Sequence, residues 1–165
     1  MALECSYNLA DLLRAGGVYY NLKGRSKETI LRNAVDGMPF LKPAERDLLY
    51  RTLLARESLE STAVGEGIAI PHPRNPGALR VAGPIVSLCF LEEPVDFGAL
   101  DGWPVFAIFV LISPTPKTHL HILSRLFFSL HQPDFKKSIV NRMPADFIIA
   151  EAGRVAQAIA KTVVT

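Results

Sequence analysis

Two short apolar segments constrain the fold of this chain more than any other feature. Residues 84–91 read PIVSLCFL and residues 105–112 read VFAIFVLI. Segments that are apolar on both faces and rich in β-branched or aromatic residues are typical of strands in a sheet covered by helices. Asp101-Gly102, which lies between the two segments, is typical of a turn. The two segments therefore predict two buried strands.

Helical patterns precede these strands. Ser26 is a suitable N-cap for a helix that ends near Met38, and Pro43 suits the first turn of a second helix, PAERDLLYRTLLARE. The core face of the second helix contains Leu49, Leu53 and Leu54. The apolar stretch at residues 18–20 fits either an edge strand or a dimer contact, and the edge strand is preferred.

Further helical patterns follow the strands, over residues 118–131 and 144–161, with a short helical piece at 134–141. Helices, then strands, then helices predict an α/β fold, or α+β sandwich, in which helices flank a mixed β-sheet. The 165 residues contain no internal repeat or low-complexity linker, so a single domain over residues 1–165 is expected.

Composition excludes several classes of function. The net charge is +2 and the chain contains no run of Lys or Arg, so direct binding to nucleic acid is not expected. The longest apolar run, residues 105–112, is far shorter than the roughly 20 residues of a membrane-spanning helix, and no secretory signal opens the chain.

Cys5 and Cys89 form no C-x-x-C pair; a buried thiol at Cys89 is preferred to a disulfide. A soluble cytoplasmic protein is expected.

One histidine lies between two prolines in the segment GEGIAIPHPRNP, residues 65–76. Pro71 and Pro73 each fix φ at about −65° and donate no backbone hydrogen bond, so a helix cannot pass through this segment. An extended chain therefore presents the imidazole of His72 at a stiffly defined point. A neutral imidazole is a good nucleophile near neutral pH, which favours covalent catalysis over a core position. A phosphoryl group there would need donors, for which Arg56 and the backbone N–H groups of residues 62–67 are candidates.

The other histidines follow the second strand. On the helix that begins near Thr118, the leucines at 120, 123, 126 and 130 with Phe127 predict the buried stripe, which includes His119. His121 is turned about 200° from His119, so the two cannot chelate one metal ion from a regular helix. His119 near this helix start could contact a phosphate or another imidazole, or could be a buried histidine bonded to backbone. His121 and His131 are expected at the surface.

Three segments together resemble a known family: ARESLESTAVGEGIAIPH, VDFGALDGWPV and KTHLHILSRL. They resemble the enzyme IIA domain of the bacterial phosphoenolpyruvate-dependent phosphotransferase system (PTS). The similarity is to the fructose/mannitol superfamily, and most of all to its nitrogen-regulatory branch. It covers the chain from about Leu9 to Ile159.

This resemblance implies a phosphocarrier role on a mixed sheet flanked by helices. It implies that His72 accepts a phosphoryl group from a phosphorylated HPr-like carrier protein and that His119 assists as a second catalytic histidine. Arg56 would bind the phosphate, and Ser61 and Thr62 would help to build the phosphate-binding pocket. No cofactor and no metal are expected; the partners would be the HPr-like carrier and regulatory protein targets.

One position departs from the family pattern, because many relatives have glycine where this chain has Pro73, followed by Arg74. Proline offers neither a backbone N–H nor freedom for close approach, so the acceptor would be held more rigidly. Two alternatives remain open. The same fold could regulate a partner by docking, with phosphorylation as a switch or lost. A metal-dependent or acid–base hydrolase using His72 and His119 is less favoured, because no third ligand or carboxylate stands out. Classification as a phosphotransferase enzyme therefore stays open.

Overall fold

The computed structural model describes residues 7–163 of the chain, in which six helices and five strands form. Cys5 lies outside these residues, and Cys89 is a buried free thiol. In chain order the elements are α1 (Leu9–Gly16), β1 (Val18–Leu22), α2 (Lys27–Asp36), α3 (Pro43–Glu57), β2 (Ala63–Gly65), β3 (Ile68–Ala69), β4 (Ile85–Val95), β5 (Val105–Ile112), α4 (Pro116–Leu130), α5 (Pro133–Val140) and α6 (Ala145–Val163).

The predicted mixed sheet is confirmed, with the strand order β1-β4-β5-β3-β2. The two segments that are apolar on both faces, β4 and β5, pair antiparallel near its centre. β1 is parallel to β4 at one edge, so the stretch at residues 18–20 is an edge strand as preferred. β3 is parallel to β5, and β2 pairs antiparallel with β3 at the other edge.

Helices cover both faces of the sheet and create two apolar cores. Alternate residues of β5 contribute to each core: Ala107, Phe109 and Leu111 to one, and Ile108, Val110 and Ile112 to the other. The first core also contains side chains of α1, α4, α5 and α6, and the second contains those of α2 and α3. This two-sided burial explains why both central strands are apolar throughout.

Capping residues account for the helix starts that the sequence predicts. The Ser26 hydroxyl accepts a hydrogen bond from the Thr29 N–H at the start of α2, and Pro43 is the first residue of α3. The helix predicted from Thr118 begins two residues earlier, at Pro116, where Thr115 is the N-cap. None of the helices within residues 7–163 has the length and apolar character needed to cross a membrane.

The sheet topology brings two loops to one end of the strands, which we call the carboxyl end of the sheet because β3 and β5 both end there. Parallel strands end on the same side of a sheet, so the segment after β3 lies beside the segment that leads from β5 into α4. A hydrogen bond of 2.9 Å from the Leu111 N–H to the Pro71 carbonyl joins these two segments. His72 and the start of α4 are therefore neighbours.

A tight turn at the opposite end of the strands directs the chain back from β2 into β3. Its three residues, Gly65, Glu66 and Gly67, have φ values of 97°, 54° and 80°. The Glu66 N–H donates to Oδ2 of Asp101 at 2.7 Å, which ties the turn to the loop between β4 and β5. The backbone conformation explains the Gly-x-Gly pattern, since glycine adopts positive φ at least cost.

Substitution of Gly67 with alanine is expected to reduce the free energy of unfolding by about 2 kcal/mol. A Cβ atom there would lie 2.5 Å from Cδ1 of Phe106 and 3.2 Å from the Pro104 carbonyl oxygen, at a φ of 80°. Urea unfolding measures the loss. Gly98→Ala is the matched control, because Gly98 has a φ of 70° and nothing lies within 4 Å of its Cβ position. Equal losses in the two variants would contradict the proposed clash.

Candidate functional site

His72 is held at the carboxyl end of the sheet, because the two residues before it form hydrogen bonds with neighbouring segments. The Ile70 N–H donates to the Thr62 carbonyl at 3.0 Å, while the Pro71 carbonyl accepts from Leu111. Pro71 and Pro73 are buried, whereas His72 is partly exposed. The extended, proline-flanked presentation expected from the sequence is therefore what the structure shows.

The tautomer of His72 follows from one contact. Its Nδ1 lies 2.7 Å from the carbonyl oxygen of Ile70. A carbonyl oxygen only accepts, so Nδ1 carries the proton, and in the neutral ring Nε2 keeps its lone pair. The nucleophilic atom of this imidazole is therefore Nε2.

His119 lies in the first turns of α4 and faces inward. Its side chain is buried, with 8% of its surface exposed, and its ring centroid is 4.9 Å from that of His72, with 47° between the ring planes. Of the alternatives left open for His119, contact with another imidazole is the one found in the structure. The two histidines are separated by 47 residues in the chain, and the parallel pairing of β3 with β5 brings them together.

Both imidazoles are harder to protonate than a free histidine. Burial lowers the pKa of His72 and Arg56 lowers it further, while the bond to Ile70 and the charge of Glu57 act in the opposite direction. Burial lowers the pKa of His119 to about 4, with further lowering by His72 and Arg56. At neutral pH the site therefore contains two neutral rings beside a guanidinium.

Arg56 and Glu57, the last residues of α3, have different surroundings. The half-buried Arg56 donates from Nη1 to the Glu60 carbonyl at 2.8 Å. Glu57 has 2% of its surface exposed and accepts from the Thr62 hydroxyl at 2.5 Å and from the Thr62 N–H at 3.2 Å. Glu57 has no role predicted from the sequence, although its place beside Arg56 in the R-E pair is a signal that could have indicated one.

The predicted phosphate-binding pair Ser61 and Thr62 lies in the loop between α3 and β2. Ser61 Oγ accepts from the Ala63 N–H at 3.1 Å, and this bond leaves the hydroxyl proton of Ser61 available for another acceptor. The Thr62 hydroxyl donates its proton to Glu57. The two hydroxyls therefore differ in what they can offer an anion.

Three of the six backbone N–H donors suggested for residues 62–67 are already used. The N–H groups of Thr62, Ala63 and Glu66 donate to Glu57, Ser61 and Asp101 respectively. The turn that contains Glu66 lies at the far end of β3 from His72. The expectation that backbone N–H groups of this stretch surround a phosphoryl group is therefore wrong for these three, because they complete the local fold.

The outward side of α4 differs from the predicted stripe. Leu120, assigned there from its apolar character, is 65% exposed, and Ile122 is buried in its place. His121 lies away from His119 but is only partly exposed, so the expected surface position is wrong in part. Its Nε2 is buried and has no hydrogen-bond partner among residues 7–163. His131 is exposed as predicted. Within residues 7–163, no three His, Cys, Asp or Glu side chains are grouped to hold a metal ion.

The fold and the histidine pair together define a class of protein. Residues 11–151 match the family model described as phosphoenolpyruvate-dependent sugar phosphotransferase system, EIIA 2. Since this match covers most of the chain, the protein belongs to that family. The family agrees with the phosphocarrier or regulatory role that the sequence resemblance implied.

Individual relatives indicate to which members of the family this chain is similar. The nitrogen regulatory protein of Pseudomonas aeruginosa is 37% identical over 131 residues, which are 78% of this chain and 83% of that protein. The crystal structure of nitrogen regulatory protein IIA-Ntr from Neisseria meningitidis is similar with a TM-score of 0.70 and 28% identity, covering 87% of this chain and 98% of that one. The fructose-specific EIIABC component of Bacillus subtilis is 30% identical over 144 residues, 86% of this chain but 22% of that protein. The predicted likeness to the nitrogen-regulatory branch is confirmed.

Proposed function

We propose that this protein accepts a phosphoryl group on Nε2 of His72 from the phosphohistidine of an HPr-like carrier. The observation that carries the proposal is the bond between Nδ1 of His72 and the Ile70 carbonyl, which leaves Nε2 as the free nucleophile beside His119. Because the system draws on phosphoenolpyruvate, an intracellular metabolite, the reaction takes place in the cytoplasm.

The transfer balances without a further reactant. The Nε2 lone pair of His72 forms the new P–N bond while the P–N bond of the donor breaks and its electron pair returns to the donor imidazole. The proton on Nδ1 of His72 stays on Nδ1 throughout, hydrogen-bonded to the Ile70 carbonyl oxygen. The lowered pKa of His72 keeps Nε2 unprotonated at neutral pH, so the nucleophile needs no separate base.

Three side chains support the transferring group in this proposal. The Arg56 guanidinium contributes the permanent positive charge that lowers the pKa of both imidazoles, and the same charge favours a phosphoryl anion. His119, with a pKa of about 4, is neutral at pH 7 and donates as an N–H of a neutral ring. Ser61 has a hydroxyl proton to offer.

Pro73 and Arg74 fit a rigid acceptor. Pro73 is buried and supplies no N–H, so the phosphoryl oxygens rely on side chains more than in relatives with glycine at this position. Arg74 is exposed next to it and adds positive charge at the rim of the site. Pro73, together with Pro71, places the acceptor on a stiff segment of backbone.

Intact mass measurement tests the proposal. The protein is incubated with phosphoenolpyruvate, enzyme I and an HPr-like carrier, and a gain of one phosphoryl group that is lost in mild acid is expected. Omission of the carrier is the control and removes the gain. A folded protein that gains nothing with several HPr-like carriers would contradict phosphoryl acceptance and would favour a docking module.

Replacement of Arg56 with glutamine is expected to slow phosphoryl acceptance about tenfold or more, because the charge on the transferring oxygens is lost. Arg56→Lys, which keeps the charge but not the planar donor set, is expected to recover part of the rate. Rapid-quench measurement with the phosphorylated carrier gives the rate constants. Arg74→Gln is the comparison for an exposed neighbouring arginine, and an effect as large as that of Arg56→Gln would contradict a special role for Arg56.

The nitrogen-regulatory relatives favour a second step in which the phosphorylation state of His72 decides which regulatory protein is bound. The phosphoryl group adds negative charge beside two neutral imidazole rings and a guanidinium, so a partner surface can distinguish the two forms. Affinity capture from source-cell lysate with both forms tests this step. If the phosphorylated and unphosphorylated forms captured the same partners, the phosphorylation state of His72 would not control partner binding.

A further inference from the structure

A buried carboxylate, Glu57, lies at the end of α3 beside the site. Glu57 has 2% of its surface exposed. It accepts hydrogen bonds from the backbone N–H and the hydroxyl of one residue, Thr62. It forms no ion pair with another residue in the described range 7–163. Burying a carboxylate without a cation is costly, and an apolar residue at this helix end would avoid the cost.

Hydrogen bonds connect this carboxylate to the acceptor histidine. Glu57 accepts from the hydroxyl and the N–H of Thr62, whose carbonyl accepts from the Ile70 N–H at 3.0 Å. The Ile70 carbonyl in turn accepts from Nδ1 of His72 at 2.7 Å. The side chain at the end of α3 is thereby connected, through Thr62 and Ile70, to the carbonyl that holds the His72 ring.

We propose that Glu57 is a positioning residue for phosphoryl acceptance, acting on His72 through Thr62 and Ile70 to hold the Nδ1–H tautomer and the ring orientation. The proposal rests on the proposed function. It also gives Thr62 a role different from direct phosphate binding, because the hydroxyl proton of Thr62 is committed to Glu57. Of the two hydroxyls of the S-T pair, Ser61 is then the one with a proton to offer an anion.

The charge of Glu57 adds a second contribution. When Nε2 forms the P–N bond while Nδ1 keeps its proton, the imidazole ring becomes cationic. The charge of Glu57 favours a cationic His72 ring, whereas Arg56 opposes it, and His119 is neutral at pH 7. A buried anion that compensates the ring cation as the bond forms lowers the barrier to transfer.

The test uses Glu57→Gln, which keeps the size of the side chain and removes its charge. Nitrogen-15 NMR of the His72 ring reports the tautomer and the pKa without any donor present. We expect a smaller Nδ1–H population, a lower pKa of His72, and phosphoryl acceptance slower by about tenfold, as for other groups that orient a reacting histidine. Glu60→Gln, on an exposed carboxylate three residues later, is the matched control and should change none of these.

A second pair of variants separates positioning from simple support of the fold. Thr62→Val removes the hydroxyl that donates to Glu57, and Thr62→Ser restores it. We expect Thr62→Val to shift the tautomer and slow the transfer, and Thr62→Ser to leave both close to wild type. If Glu57→Gln does not fold by circular dichroism, this pair carries the test.

The outcomes distinguish the two proposals. A wild-type ring held as the Nδ1–H tautomer and shifted in Glu57→Gln supports positioning even if no carrier phosphorylates the protein, a result that would count against the proposed function alone. Folded Glu57→Gln and Thr62→Val variants with wild-type tautomer, pKa and transfer rate would overturn the role of Glu57. Slower transfer with an unchanged ring signal would likewise overturn positioning through His72.

Discussion

Replacement of His72 with alanine is expected to abolish phosphoryl acceptance while the protein stays folded. Nε2 of His72 is the nucleophile, because the contact with Ile70 occupies Nδ1. His119 cannot replace it as the acceptor, because only 8% of the His119 surface is exposed. A loss of the covalent acceptor leaves no alternative route, so the effect is a complete loss of acid-labile label and not a slower rate. Intact mass after incubation with the phosphorylated carrier measures it.

Two controls make that result specific. His131→Ala removes an exposed histidine far along α4 and is expected to keep the full mass gain. His119→Ala is expected to keep the mass gain at a reduced rate, because it removes an assisting donor and leaves the nucleophile. A phosphoryl group retained by folded His72→Ala protein would show that the acceptor lies elsewhere.

Acidification is expected to destabilise the protein through His119 between about pH 6.5 and pH 4. The pKa of His119 falls from an ordinary value of 6.5 to about 4 in the folded protein, mainly because burial disfavours the cation. In this window the unfolded chain binds more protons than the folded protein, so the free energy of unfolding decreases as the pH falls. The contribution is complete above pH 6.5, and its loss amounts to at most about 3 kcal/mol.

Denaturant unfolding at pH 7.5 and pH 4.5 measures this contribution as a difference between wild type and His119→Gln. Carboxylates also titrate over this range, but their effect is common to both proteins and cancels in the difference. The wild type is expected to lose more stability on acidification than His119→Gln, and His131→Gln serves as a control for the type of substitution. The same pH dependence in wild type and His119→Gln would exclude His119 as the source.

Burial patterns along the chain could be predicted well where the element is long and its pattern strong. β4 and β5 were predicted from two-sided apolarity, and α2 and α3 from Ser26 and Pro43 at their starts. α1 was not predicted, because eight residues make only about two turns and give too short a periodic pattern. β2 and β3, of three and two residues, exist only through their pairing with neighbours.

The site was predictable in its residue types and only partly in its contacts. The proline-flanked His72 and the inward face of His119 follow from φ restrictions and helical spacing. The exposure of Leu120 and the burial of Glu57 do not, because a leucine is expected inside and a carboxylate outside unless tertiary contacts reverse the preference. Those contacts come from residues distant in sequence and leave no periodic signal.

Local backbone geometry is enough to predict that one imidazole stands on a stiff extended segment and that a second faces inward from the start of a helix. The 4.9 Å between the rings, the bond from Nδ1 of His72 to the Ile70 carbonyl and the burial of Glu57 follow from the fold as a whole. These features depend on the parallel pairing of β3 with β5 and on where α3 ends against the sheet. Such distances are set by packing between segments that the chain brings together only when it folds.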